Sequence, residues 1–133
     1  EKKHRIDDAL EAVKSAQEEG IVPGGGVALL RATDGLIVET ENEEQSIGAK
    51  VVLEAVEEPL RQMCLNSGIS PDIIVDQVRS YSGNLGYNFM KDKVVDLIID
   101  GVVDPVKVTR CALENATLVA STIITTSHAI VNQ

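Results

Sequence analysis

Only three aromatic side chains, Tyr81, Tyr87 and Phe89, occur in the 133 residues, and tryptophan is absent. Aromatic rings bury about 150–250 Å² each, so without them a core has to be assembled from Val, Ile, Leu and Ala. Helices packed through small and aliphatic side chains meet that requirement easily, and a mainly helical fold is the expectation. With 44% hydrophobic and 25% charged residues, the chain falls among globular proteins, which excludes the disordered and fibrous classes. Its length fits one domain or a large piece of one.

The apolar pattern supports helices along most of the chain. Ile6, Ala9, Leu10, Val13 and Ala16 recur at helical spacing between acids and lysines, which predicts an amphipathic helix over 2–19, stopped by Gly20. After Ile21-Val22-Pro23 come Gly24, Gly25 and Gly26 and then Val27 to Arg31, so the glycines sit at a helix start. Asp34-Gly35 reads as a turn and 39–44 as an acidic loop. The next helix carries Ile47, Val51, Val52, Ala55 and Val56 on one side, and Pro59 ends or kinks it. A further segment with Leu60, Met63 and Cys64 runs to a stop at Asn66-Ser67-Gly68.

Ser70-Pro71-Asp72 reads as an N-cap followed by proline at the first helical position, opening a short helix through Ile74 and Val78. Ser82 to Phe89, rich in turn formers and aromatics, suits a short strand or hairpin better than a helix. Asp104-Pro105 repeats the cap-plus-proline start, and the helix after it carries Val108, Ala112, Ala116, Val119 and Ile123. Ala129-Ile130-Val131 reads as an edge strand with no partner in the chain. No internal repeat or low-complexity segment occurs.

Twelve Lys plus Arg against 21 Asp plus Glu leave a net charge of −9, and so acidic a surface repels a phosphate backbone. Nucleic acid is therefore not an expected partner. The longest apolar run, near the C-terminus, is broken by Glu114, Asn115 and repeated Thr and Ser, so no membrane span is expected. No signal-like start is seen. Cys64 and Cys111 lie inside apolar helical patterns, which marks them as small buried hydrophobes rather than a disulfide or metal pair and points to a reducing, cytosolic compartment.

Few residues stand out for chemistry. A glycine-rich turn opening a helix lets backbone N–H groups approach a ligand, with the helix dipole adding positive potential. The pattern here is neither a phosphate-binding P-loop nor a dinucleotide fingerprint, since no Lys-Ser/Thr follows and Leu29 stands where the last glycine would. On the residues alone, a tight turn that lets two helices pack closely is the favoured reading. Asp8 lies off the apolar stripe, free to face a site or solvent, and Asp7, Asp8 and Glu11 also suit the dipole near a helix start. Asp104 is explained equally well as an N-cap. His4 and His128 are far apart with no ligand-spaced cluster, so no metal site is expected, and no nucleophile–base arrangement is visible.

Several segments taken together resemble one family almost from end to end. They are 1–3 with Arg5-Ile6-Asp7-Asp8-Ala9-Leu10, the run from Glu18 through Gly20 and Pro23-Gly24-Gly25-Gly26 to Leu29, Glu58-Pro59-Leu60-Arg61-Gln62, Gly86-Tyr87-Asn88, Gly101 through Asp104-Pro105 to Arg110, and Ala112-Leu113-Glu114-Asn115-Ala116. In order and spacing they are similar to the C-terminal part of a GroEL-type (group I) chaperonin subunit. The resemblance implies a mainly α fold, a helical equatorial-domain-like bundle with a short β-hairpin and a C-terminal edge strand. Residues 1–19 would be the intermediate-domain helix that returns the chain to the equatorial domain. Residues 20–133 would be the C-terminal half of that ATP-binding, ring-forming domain, with Gly20 at the hinge.

The resemblance also implies roles. Asp8 would line up the attacking water for ATP hydrolysis. Gly24 and Gly25 would lie against the nucleotide, Asn88 at the adenine with Phe89 beside it, and Val102 in the same pocket. Asp104 would hydrogen-bond the ribose hydroxyls. These roles are chemically coherent: a carboxylate accepts from two hydroxyls, bare glycine permits close approach, and a placed base orients water. Where many relatives carry two alanines after the asparagine, this sequence has Phe89-Met90, which implies a narrower or rearranged adenine pocket.

The family's phosphate-binding glycine-threonine loop and Mg²⁺-ligating Asp belong to a segment outside this sequence, so ATP and Mg²⁺ are expected in the complete subunit and no metal ligand or turnover is expected here. Implied partners are other chaperonin subunits in a double ring, with the co-chaperonin and unfolded proteins met by domains outside these residues. The implied location is the cytoplasm, or an organellar matrix in a eukaryote. A chaperonin-derived structural or interaction module without catalysis is the rival reading, which an unpaired terminal strand and an acidic surface would suit.

Overall fold

The computed structural model describes residues 2–130. It is mainly helical: α1 (Lys2–Glu19), α2 (Val27–Thr33), α3 (Glu43–Ala55), α4 (Glu58–Asn66), α5 (Pro71–Arg79) and α6 (Val106–Thr125). Four short strands complete it, β1 (Ile21–Pro23), β2 (Leu85–Asn88), β3 (Lys93–Asp96) and β4 (Val103–Pro105). The described chain divides into two compact units, one of Ile21–Asp104 and the other of the residues before and after it.

The Ile21–Asp104 unit holds the core. Val27 and Leu30 of α2, Leu60 and Cys64 of α4, Ile74, Val75 and Val78 of α5, Tyr87 of β2 and Leu97 are buried together. Cys64 behaves as the small buried hydrophobe its pattern predicts, and burial pushes its thiol pKa up. Pro59 falls in the first turn of α4, where its missing N–H is harmless, so the chain breaks after Ala55 rather than kinking. At that break, Glu57 accepts from Arg61 at 3.1 Å and from Arg79. Partial burial works against ionisation of Glu57, but the two guanidiniums outweigh it and hold its carboxyl below the usual range.

β2 and β3 pair antiparallel, with Leu85 opposite Asp96 and Asn88 opposite Lys93. This is the expected hairpin, completed by a strand the sequence pattern did not single out. β1 and β4 form a second two-stranded sheet, which was not expected at all. Gly86 is packed so tightly that an added Cβ would come within 2.5 Å of Leu97 Cδ1 and 2.6 Å of Val27 Cγ2. Arg31 ties this unit together: its guanidinium donates to the carbonyls of Val78 and Leu85, each at 2.9 Å, and of Gly83 at 3.2 Å.

In the other unit, α1 packs on α6. Gly20, at φ 85°, ends α1 by donating to Ala16 O at 2.8 Å, while its own carbonyl accepts from Val106 at 3.1 Å. Glu18 pairs with Lys107, and Glu19 with Arg110 at 2.6 Å, both exposed enough to add little stability. The amphipathic stripe expected to be buried is open: Ile6, Leu10 and Val13 are exposed, and the half-buried residues of α1 are Ala12, Ser15 and Ala16. Two helices meeting through small residues leave their larger neighbours uncovered. Most of α6 is likewise exposed, although Cys111 is half-buried.

Three local expectations are corrected. Asp104 does not cap α6; it lies in β4, and Pro105 itself occupies the cap position with extended backbone, because strand pairing takes the residues the local rule would have given to the cap. Ser70 stands at the N-cap of α5 but its side chain makes no capping bond. At the expected C-terminal edge strand, Ala129 and Ile130 are irregular, with no strand paired to them among the described residues, and Val131 lies outside those residues.

Candidate functional site

Most of the residues singled out in the sequence lie in the Ile21–Asp104 unit. There the Gly24 N–H donates to Val102 O at 2.9 Å, and a Cβ on Gly24 would stand 3.2 Å from the carbonyl carbon and oxygen of Val102. Bare backbone is needed at Gly24 for this approach. Gly25, at φ 68°, is selected by conformation instead, because a Cβ there would meet only Tyr87 O, at 3.7 Å. Gly26, at φ 74°, faces α4, so the plainer reading of a tight packing turn holds for this third glycine.

Val102 is anchored by its N–H to Leu97 O at 2.8 Å and packs against the core. Two residues on, in β4, Asp104 is half-buried, and its carboxylate makes no hydrogen bond or ion pair among the described residues. Burial alone raises its carboxyl pKa above the ordinary value. A partly desolvated carboxylate without a donor is unusual, since such groups are normally paired.

The β2–β3 turn carries Asn88 and Phe89. Asn88 is 5% exposed, and its side chain accepts from the N–H groups of Met90 at 2.9 Å and Lys91 at 3.2 Å. It donates to Asp100, which also receives Lys91 Nζ. The Lys91 ammonium holds the Asp100 carboxyl below the usual range, against a smaller effect of burial. Phe89 is half-buried and meets Tyr87 edge-on, with ring centroids 5.1 Å apart and planes at 74°. Tyr87 donates its hydroxyl to Asp92, a bond that raises the phenol pKa, and Asp92 is held at φ 53°. Met90 is 94% exposed, so the two neighbouring side chains part company: Phe89 packs inward and Met90 points to solvent.

Asp8 stands exposed on α1, in the unit apart from this cluster. Sequence reasoning missed Asp100, which the Asp-Gly turn signal could have flagged, and Arg31, for which the only signal was a charge ending an apolar run. No group of His, Cys, Asp and Glu that could hold a metal ion occurs among the described residues. Nor is any described helix long and apolar enough to cross a membrane.

Residues 1–133 match the family model of the TCP-1/cpn60 chaperonin family. The chain belongs to the TCP-1/cpn60 chaperonin family. Among solved structures, the crystal structure of a group III chaperonin in the open state is similar to this chaperonin chain with a TM-score of 0.71 and 27% identity. That match covers 87% of this chain and 25% of the other, so the 133 residues span a quarter of the length of the chaperonin they resemble.

Proposed function

We propose that these residues are part of an ATP-dependent, GroEL-type chaperonin subunit that assists protein folding, and that they carry one side of its nucleotide site together with ring-contact surface. Residues 1–19 are then the return helix of the intermediate domain and 20–133 the C-terminal half of the equatorial domain, working in the cytoplasm or an organellar matrix. The observation that carries this reading is Asp104, a half-buried carboxylate with no donor among the described residues, two residues from the Val102 carbonyl that receives Gly24. An open acceptor beside bare glycine backbone fits a ribose, whose two hydroxyls both donate.

ATP with Mg²⁺ supplies the phosphoryl-transfer chemistry when bound. Of this chain's residues, Asp104 holds the ribose, Gly24 and Gly25 admit the nucleotide close to the backbone, Val102 lines the pocket, and Asp8 orients the attacking water. Equilibrium binding of ATP to the complete subunit tests this. Asp104→Ala is expected to raise the dissociation constant by roughly tenfold or more, as loss of a charged hydrogen bond would. Unchanged affinity rejects the site. A second reading, a scaffold that makes subunit contacts without catalysis, draws on the exposed Leu118, Ile123 and Ile124 of α6. It is favoured if the complete subunit assembles normally yet binds no nucleotide.

A further inference from the structure

Arg31 closes a circuit of hydrogen bonds around the glycine turn. The Gly24 N–H donates to Val102 O at 2.9 Å, the Val102 N–H to Leu97 O at 2.8 Å, and the Leu97 N–H to Asn84 O at 3.0 Å. On either side of Asn84, the carbonyls of Gly83 and Leu85 receive the Arg31 guanidinium, at 3.2 and 2.9 Å. From Arg31, α2 leads back to Val27, whose N–H donates to Gly24 O at 3.3 Å. The other links are main chain to main chain; the return from Gly83 and Leu85 to α2 depends on a side chain, so a substitution can delete it.

The guanidinium suits that place. It also donates to Val78 O at 2.9 Å and to Asp34 at 3.3 Å, so four of its five N–H groups are engaged, and the side chain is only 14% exposed. Val27 and Arg31 lie one turn apart on the same face of α2, with Val27 packed on Gly86 and Arg31 gripping its neighbour Leu85. Attachment at two points sets both the distance and the rotation of α2 against β2. The glycine turn, which runs directly into Val27, is held in place by the same grip.

We propose that Arg31 is a positioning residue for the nucleotide site, holding Gly24, Gly25 and Val102 at the spacing that admits the part of the nucleotide common to ATP and ADP, without touching the nucleotide itself. This rests on the proposed nucleotide site and adds to it a residue outside the pocket. Lysine is a poor substitute, because a single ammonium cannot span carbonyls that the planar fork reaches from two different nitrogens.

In the complete subunit, Arg31→Met keeps the apolar stem and removes every donor. It is expected to raise the dissociation constants of ATP and ADP with Mg²⁺ by the same factor, about fivefold or more, and to leave kcat at saturating ATP within about twofold of the parent. Arg31→Lys is expected to recover less than half of that loss. Ile74→Ala supplies the stability control, because it opens a cavity in the same core outside the circuit. It is expected to lower the melting temperature and leave both dissociation constants unchanged, with all variants measured below their melting temperatures. Parental affinity in a folded Arg31→Met subunit, or a loss of affinity that Ile74→Ala matches, overturns the proposal. Amide hydrogen exchange of the 133-residue chain tests the circuit without nucleotide. In Arg31→Lys, the Gly24 and Val102 N–H groups are expected to exchange about tenfold faster, relative to the amides of α4, than in the parent. Equal acceleration throughout the Ile21–Asp104 unit overturns the proposal. If the complete subunit binds neither nucleotide, the proposed function fails, and the exchange pattern alone decides whether Arg31 holds the turn.

Discussion

A Cβ on Gly26 would stand 2.9 Å from the Leu60 amide nitrogen and 3.1 Å from Leu60 Cα, both backbone atoms that cannot swing away. The position is also left-handed, at φ 74°. Gly26→Ala is therefore expected to be strongly destabilising, by about 2–5 kcal/mol from the sum of backbone strain and forced separation of α2 from α4. Gly35 supplies the control, with a similar φ of 72° and nothing within 4 Å of its added Cβ. Gly35→Ala is expected to lose only the conformational part, about 1–2 kcal/mol. Denaturant unfolding of the two variants side by side separates strain from collision; equal losses would mean α4 is not held against the glycine turn.

The open carboxylate of Asp104 makes a prediction about pH. Burial raises its folded pKa above the unfolded value, so the folded state binds the proton more tightly. Stability of the chain is then expected to be greatest below the unfolded pKa, to fall as pH rises through the window between the unfolded and the raised folded value, and to stay lower above it. Asp104→Asn removes this contribution, and because Asp104 does not cap α6, it loses no capping bond. The Asn variant is expected to melt above the parent at neutral pH and to approach or fall below it in acid. A parent-like melting temperature across the whole range would show that Asp104 is solvated.

The two cysteines differ in access. Cys64 is fully buried in the core, while Cys111 on α6 is half-buried. Reaction with a thiol reagent is expected to proceed in two phases: Cys111 labels in the native state, and Cys64 only when the core opens, its raised pKa slowing it further. Cys111→Ser should remove the fast phase and leave the slow one. Simultaneous labelling of both thiols would mean that the Ile21–Asp104 core opens freely.

Much of this fold was written locally. The helices followed from apolar spacing, and Pro59, Gly20 and Gly68 marked real breaks, because a missing N–H or a left-handed turn acts on its own neighbourhood. What stayed hidden was whatever depended on distant pairing. β1 and β4 are three residues each and become strands only by finding one another from far apart in the chain. That pairing also overrode the capping rule at Asp104-Pro105. Arg31 could not be read because its acceptors, the carbonyls of Val78, Gly83 and Leu85, have no side-chain signature. Within the candidate site, the glycine turn was visible as a motif and Asp104 as a carboxylate, but their nearness through Val102 came from the resemblance and the fold. The commitment of Asn88 to Asp100 was legible in neither, since nothing in the sequence tells which way an amide is turned.

The proposed roles of Asp8 and Asp104 predict different kinetic signatures in the complete subunit. A residue that orients the attacking water acts on the transition state, whereas one that holds the ribose acts equally on the ground state. Asp8 is exposed on α1, and its loss leaves no buried partner behind, so Asp8→Ala is expected to fold normally. ATP affinity in that variant should be nearly unchanged while kcat falls by roughly a hundredfold or more, the range for loss of a positioned base. Asp8→Asn tests the chemistry further, because an amide of the same shape still fills the space but is a far weaker acceptor for a water proton; it should be about as slow as the Ala variant. Asp104→Ala should instead raise KM and the dissociation constant together, with kcat retained at saturating ATP. If Asp8→Ala weakens binding as much as Asp104→Ala does, or if both hydrolyse ATP at the parental rate, neither carboxylate has the role assigned to it, whatever the family membership of the chain.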